Sequence, residues 1–122
     1  MTEDVTISVI TAAYRAQETL AATVASVRAQ TRQDWELIVV ADDGVDYRGH
    51  VGNGARQDSR VRFMSSGGIG TGPAAARNAG LAVASGRFVA ALDADDRFAP
   101  ERLDDLLAAA EGSGVAADCV NV

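Results

Sequence analysis

The chain has 122 residues, enough for one domain that buries roughly two-thirds of the surface its unfolded form exposes. Hydrophobic residues make up 48% and charged residues 23%, which excludes a disordered or fibrous chain. Eleven basic residues against 17 acidic ones give a net charge of −6, which excludes the basic face that nucleic acid requires. A phosphorylated ligand stays open, because a divalent ion can stand between carboxylates and phosphates.

Cys119 is the single cysteine, so no intramolecular disulfide forms, which suits a reducing compartment. Its apolar surroundings read as a small buried hydrophobe. The acidic start Met1-Thr2-Glu3-Asp4 leads directly into a strand pattern without a signal peptide. No apolar run approaches the roughly 20 residues of a spanning helix. The expectation is a cytoplasmic chain without a transmembrane segment, with peripheral membrane association left to partners or further segments.

Val5 to Thr11 is apolar and β-branched, as a strand buried on both faces is. Leu20, Val24 and Val27 then fall at helical spacing within Glu18 to Gln30, and Trp35 to Ala41 is a second β-rich run. Strand, helix, strand is the βαβ signature of a parallel sheet. Asp46 to Asp58 reads as loop with one or two turns. Arg60 to Met64 alternates as a strand, and Gly67 to Gly72, with four glycines, is a loop. Pro73 opens a helix running to Ala84, where its missing N–H costs nothing. Arg87 to Leu92 reads as a buried strand, Pro100 opens a helix carrying Leu103, Leu106 and Leu107, and Ala116 to Val122 reads as a last strand. The expected fold is α/β: a mostly parallel central sheet with helices on both faces, one domain over residues 1–122.

Ligands on such sheets bind beyond the carboxyl ends of the strands. Polar residues follow three of them: Tyr14, the pair Asp42-Asp43, and the cluster Asp93 to Asp96. Asp93 and Asp95 flank Ala94 in a turn, so both carboxylates can face one pocket. Magnesium and manganese take such a pair, completing their shell with water and substrate phosphates. A calcium loop fails, because Arg97 and Phe98 stand where an acidic ligand and a glycine belong. The other reading is a solvated turn before the Pro100 helix.

Asp42 is either a turn former in Asp-Gly context or a carboxylate accepting a base N–H such as uracil offers. Tyr14 either stacks on that base or is a core tyrosine with its hydroxyl at the rim. Arg77, inside the Pro73 helix, either supplies charge to a diphosphate or sits at the surface in a packing salt bridge. The glycine run lacks G-x-G-x-x-G spacing, so a dinucleotide fingerprint is excluded, although the helix N-terminus behind it suits a phosphate. His50 has no evident partner.

In order and spacing, Ile7-Ser8-Val9-Ile10, Tyr14, Gln30-Thr31, Trp35 to Val40, Ala76-Arg77-Asn78-Ala79-Gly80, Leu92-Asp93-Ala94-Asp95-Asp96 and Pro100-Glu101-Arg102-Leu103 resemble glycosyltransferase family 2 on the GT-A fold. The resemblance spans essentially the whole chain. It implies inverting, metal-dependent transfer of a sugar from a nucleoside diphosphate donor, commonly UDP-linked, to an acceptor. Tyr14 matches the position that stacks on the base, Asp42 the acid that reads it, Asp93 a neighbour of the ribose, and Asp95 the acid contacting Mn2+ or Mg2+, with Asp96 close by.

Three departures qualify it. Arg15 stands where members carry Asn. Ala41-Asp42-Asp43-Gly44 stands against Asp-Asp-Gly-Ser in ungapped placement, which loses one acid. The family's general base and acceptor site lie downstream of Val122. The chain is therefore expected to be the N-terminal, donor-binding part of a longer catalytic domain, self-associating through an exposed sheet edge. The alternatives are a non-catalytic nucleotide-sugar-binding module or truncated homologue, and a sugar nucleotidyltransferase. The last wants a glycine-rich, arginine-bearing loop where Thr11-Ala12-Ala13-Tyr14-Arg15 stands.

Overall fold

The apolar runs from Ile7 and from Trp35 form strands buried on both faces. The computed structural model describes residues 5–113 and 119–121, with side chains over 5–110. Strands β1 (Ile7–Ala13), β2 (Trp35–Ala41), β3 (Val61–Ser65), β4 (Phe88–Ala91) and β5 (Cys119–Asn121) form one sheet in the order β3-β2-β1-β4-β5. The first four are parallel, and β5 joins β4 antiparallel at the edge. Beyond Cys119–Asn121, the strand expected over Ala116 to Val122 lies outside the described residues.

Ile7, Val9, Trp35, Leu37 and Val39 point to one side of the sheet. There they meet Leu20, Val24 and Val27 of α1 (Leu20–Arg28), Ala55 of α2 (Asn53–Gln57), and Leu103, Leu106 and Leu107 of α4 (Arg102–Ser113). Ile10, Ile38, Val40 and Val89 point to the other side, against Ala76 of α3 (Pro73–Val83). Helices therefore cover both faces, as the period-2 pattern of doubly buried strands requires. A 3-10 turn over Tyr47–His50 and the short α2 occupy the stretch read as loop with turns. No helix among the described residues is long and apolar enough to cross a membrane.

The amino ends of the strands are tied by a buried carboxylate. Glu36, 5% exposed, accepts from Ser8 Oγ at 2.6 Å, Ser85 N at 2.7 Å, Ser85 Oγ at 3.0 Å and Arg62 Nη1 at 3.1 Å. Ser8 Oγ in turn accepts from Gly86 N at 2.9 Å. The turn into β4 thus lies directly against β1. A Cβ on Gly86 meets Ser8 N at 2.8 Å and Ile7 C at 3.0 Å, backbone atoms that cannot swing aside. Gly86→Ala is expected to cost about 1–3 kcal/mol through forced backbone displacement, read in a urea melt. An unchanged midpoint excludes the close approach.

Candidate functional site

The registers Ala13 to Ala41 and Ile10 to Ala91 align the carboxyl ends of β1, β2 and β4, so the segments that follow converge. They enclose a cleft of about 670 Å³ lined by Tyr14, Arg15, Thr19, Asp42, Gly70, Gly72, Asp93 and Asp95, among others. Four of the five residues singled out in the sequence, Tyr14, Asp42, Asp93 and Asp95, meet here. Arg77 does not line the cleft; it sits one turn inside α3, partly buried.

Asp42 is 3% exposed and holds the glycine-rich loop. Its Oδ1 accepts from Ser66 Oγ at 2.6 Å, Thr71 Oγ1 at 2.5 Å and Thr71 N at 3.1 Å, and its Oδ2 from Gly72 N at 3.0 Å. Hydrogen bonds from Ser66 and Thr71, then the Gly72 and Thr71 N–H groups, overcome burial and hold this carboxyl at about 2. The loop folds over Asp42 because Gly70 and Gly72 adopt φ of +66° and +104°, the left-handed region that glycine enters without a Cβ penalty. Asp42 is therefore both turn anchor and cleft wall. Oδ1 is filled, whereas Oδ2 carries one donor and retains acceptor capacity.

Asp43 belongs to a second network that the sequence did not reveal. Its Oδ2 accepts from Tyr47 Oη at 2.6 Å and Arg15 N at 2.7 Å, and its Oδ1 from Val45 N at 3.1 Å. Tyr47, buried in the core, also accepts from Ala16 N at 3.0 Å. Burial raises the Asp43 carboxyl, but these bonds outweigh it and leave it below the ordinary range. Burial and Asp43 push the Tyr47 hydroxyl up to about 12. Because β2 ends at Ala41, the turn after it is Asp42-Asp43-Gly44-Val45. Asp42 and Asp43 thus both stand in the turn that leaves the sheet.

The acidic turn after β4 is held from α1. Thr23 Oγ1 donates to the carbonyl of Asp96 at 2.6 Å, with the carbonyl of Ala94 at 3.0 Å as the alternative acceptor for its one hydrogen. Gln30 Nε2 donates to Ala99 O at 2.6 Å and Gln30 Oε1 accepts from Leu103 N at 2.9 Å, fixing the segment leading to α4. Buried Leu92 and Ala94 alternate with exposed Asp93 and Asp95, so both carboxylates face solvent and line the cleft. No hydrogen bond among the described residues engages either one. Their free lone pairs fit a divalent ion that takes two protein carboxylates and finishes its shell elsewhere. No group of three or more ligating side chains able to hold a metal by itself occurs among the described residues.

A parallel sheet covered on both faces, with an acidic, tyrosine-rimmed cleft at its strand ends, defines a Rossmann-like ligand-binding domain. The chain belongs to glycosyl transferase family 2, whose sequence model matches residues 8–122. It is 39% identical over 103 residues to the Escherichia coli UDP-Glc:alpha-D-GlcNAc-diphosphoundecaprenol beta-1,3-glucosyltransferase WfgD, covering 84% of this chain and 40% of that protein. It is 34% identical over 118 residues to the succinoglycan biosynthesis protein ExoO of Rhizobium meliloti, covering 95% of this chain and 33% of ExoO. Residues 1–349 of S. aureus TarS superpose with a TM-score of 0.77 at 25% identity, covering 89% of this chain and 33% of that one, and were also solved with UDP-GlcNAc. The fold is thus the GT-A fold. The chain spans about 33–40% of the length of these relatives.

Proposed function

We propose that this chain binds the nucleoside diphosphate end of a UDP-linked sugar donor for inverting, metal-dependent transfer to an acceptor. The observation that carries the reading is the convergence of Tyr14, Asp42, Asp93 and Asp95 on one cleft. Tyr14 is 46% exposed and offers a ring face to a base, a contact worth ~1–3 kcal/mol. The remaining acceptor capacity of Asp42 Oδ2 matches the N–H of uracil. Asp93 and Asp95 are the residues that would hold Mn2+ or Mg2+ against the diphosphate. When bound, such an ion supplies charge neutralisation of the departing diphosphate. The UDP-Glc donor in the name of WfgD and the UDP-GlcNAc complex of TarS support the same donor class.

Calorimetric titration with UDP and GDP, with and without manganese, tests this reading. Manganese is expected to tighten UDP binding. Asp95→Asn is expected to abolish that gain while leaving the folding stability within about 0.5 kcal/mol, because the side chain is exposed and unengaged. Equal affinity with and without metal in the unmutated chain overturns the metal role, and preference for GDP overturns the base assignment.

A further inference from the structure

Arg15 has a backbone φ of +52°, the one non-glycine residue in the left-handed region among the described residues. For an arginine that conformation is unfavourable by roughly 1–2 kcal/mol, and it persists where surrounding contacts impose it. Here they are visible. The Arg15 N–H donates to Asp43 Oδ2 at 2.7 Å, Tyr47 Oη donates to the same oxygen at 2.6 Å, and the next N–H, that of Ala16, donates to Tyr47 Oη at 3.0 Å. Two side chains from the segment after β2 thus clamp the turn after β1. The result is that the Arg15 guanidinium lies over the Tyr14 ring, 5.2 Å from its centroid, inside the cleft lining.

The charge balance of the cleft gives this placement its meaning. Asp42, Asp93 and Asp95 line it, and Arg15 is the single basic side chain among the described lining residues. Its guanidinium has no hydrogen bond or ion pair to the described residues, so its five donors are unspent. A diphosphate bears oxygens in the fork geometry that guanidinium matches, whereas a neutral nucleoside offers no such group. Arg77, the other candidate, lies outside the lining.

We propose that Arg15 is the diphosphate-binding cation of this cleft, held ready by the Asp43–Tyr47 clamp. The proposal rests on the nucleotide reading above and deepens it. It is tested by NMR titration of the 122-residue chain with UDP and with uridine, for the unmutated protein, Arg15→Asn and Arg15→Lys. Asn tolerates the left-handed region, so Arg15→Asn removes the charge and keeps the turn, with an unchanged or raised melting temperature. The expected result is a loss of UDP affinity of roughly 10- to 100-fold in Arg15→Asn, a smaller loss in Arg15→Lys, and no change for uridine. Equal losses for UDP and uridine place Arg15 on the base through Tyr14 and overturn the proposal, as does unchanged UDP affinity. Failure of the unmutated chain to bind either compound overturns the nucleotide reading itself and the proposal with it. Uridine binding with UDP no tighter overturns the proposal alone.

Discussion

Glu36→Ala is expected to lower stability by about 3–5 kcal/mol, the largest loss for any single substitution outside the apolar core. Removal of this carboxylate leaves Ser8 Oγ, Ser85 N and Ser85 Oγ without their acceptor at a site the alanine methyl does not fill. For a chain of this size the melting temperature falls by roughly 10–20 °C. Arg62→Ala serves as the contrast: its side chain is 45% exposed, so its loss costs about 0–1 kcal/mol. Nucleotide affinity of the folded Glu36→Ala protein is expected to be unchanged, because Glu36 and Asp42 lie roughly 20 Å apart along β2 and the segment following it. The effect also has a pH signature. Burial raises the Glu36 carboxyl, but hydrogen bonds from Ser8, Ser85 and Arg62 outweigh it and set it below the ordinary range. A depressed folded-state pKa contributes stability above the unfolded value and loses it as pH falls through the folded one. The gap between the two proteins should therefore narrow in acid. A gap below 1 kcal/mol at neutral pH defeats the account.

The continuous apolar runs mark β1 and β2 as buried on both faces, and β2 falls on Trp35–Ala41 as that run suggests. The rule placing ligands at strand ends singles out Tyr14, Asp42, Asp93 and Asp95, which line one cleft, because the rule needs only the local pattern of the strands. What local patterning does not carry is partnership between distant residues. Glu36 looks like a blemish in an apolar strand until Ser85, 49 positions on, is known to donate to it. Tyr47 sits in the glycine-containing stretch read as loop with turns, yet it is 1% exposed and bonded to Asp43. Arg15 drew notice only as a departure from Asn, since its positive φ depends on that same clamp. The signal for it was present in the run Tyr14-Arg15: a residue position that favours Asn is a position that favours the left-handed region. Arg77 was chosen on charge and helix position, and the lining of the cleft does not include it.

Purified alone, the 122-residue chain is expected to bind UDP and to show no multiple-turnover glycosylation of an acceptor. Inverting transfer needs a proton acceptor within hydrogen-bond reach of the attacking hydroxyl. The carboxylates near the cleft are otherwise committed. Asp42 is held at about 2 by Ser66 and Thr71, so it is a weak proton acceptor at neutral pH. Asp43 spends both oxygens on Tyr47, Arg15 and Val45. Asp46 accepts from Arg48 N and caps the 3-10 turn, and Asp96 accepts from Arg97 N beside a separate cavity. Asp93 and Asp95 are the residues proposed above to hold the ion, and there protonation and metal contact would compete. The relatives extend over more than twice the length matched here, which leaves them room for an acceptor surface and a base. Loss of a positioned base costs roughly 10²–10⁴-fold, and loss of acceptor orientation multiplies it. Slow hydrolysis of the donor by water is the reaction that should survive, and Asp95→Asn should remove it. The decisive assay incubates the chain with UDP-sugars, manganese and a panel of acceptors, following UDP release and glycosylated product separately. Glycosylation over many turnovers that co-purifies with the chain defeats this expectation and returns Asp96 and Asp46 to consideration as the base.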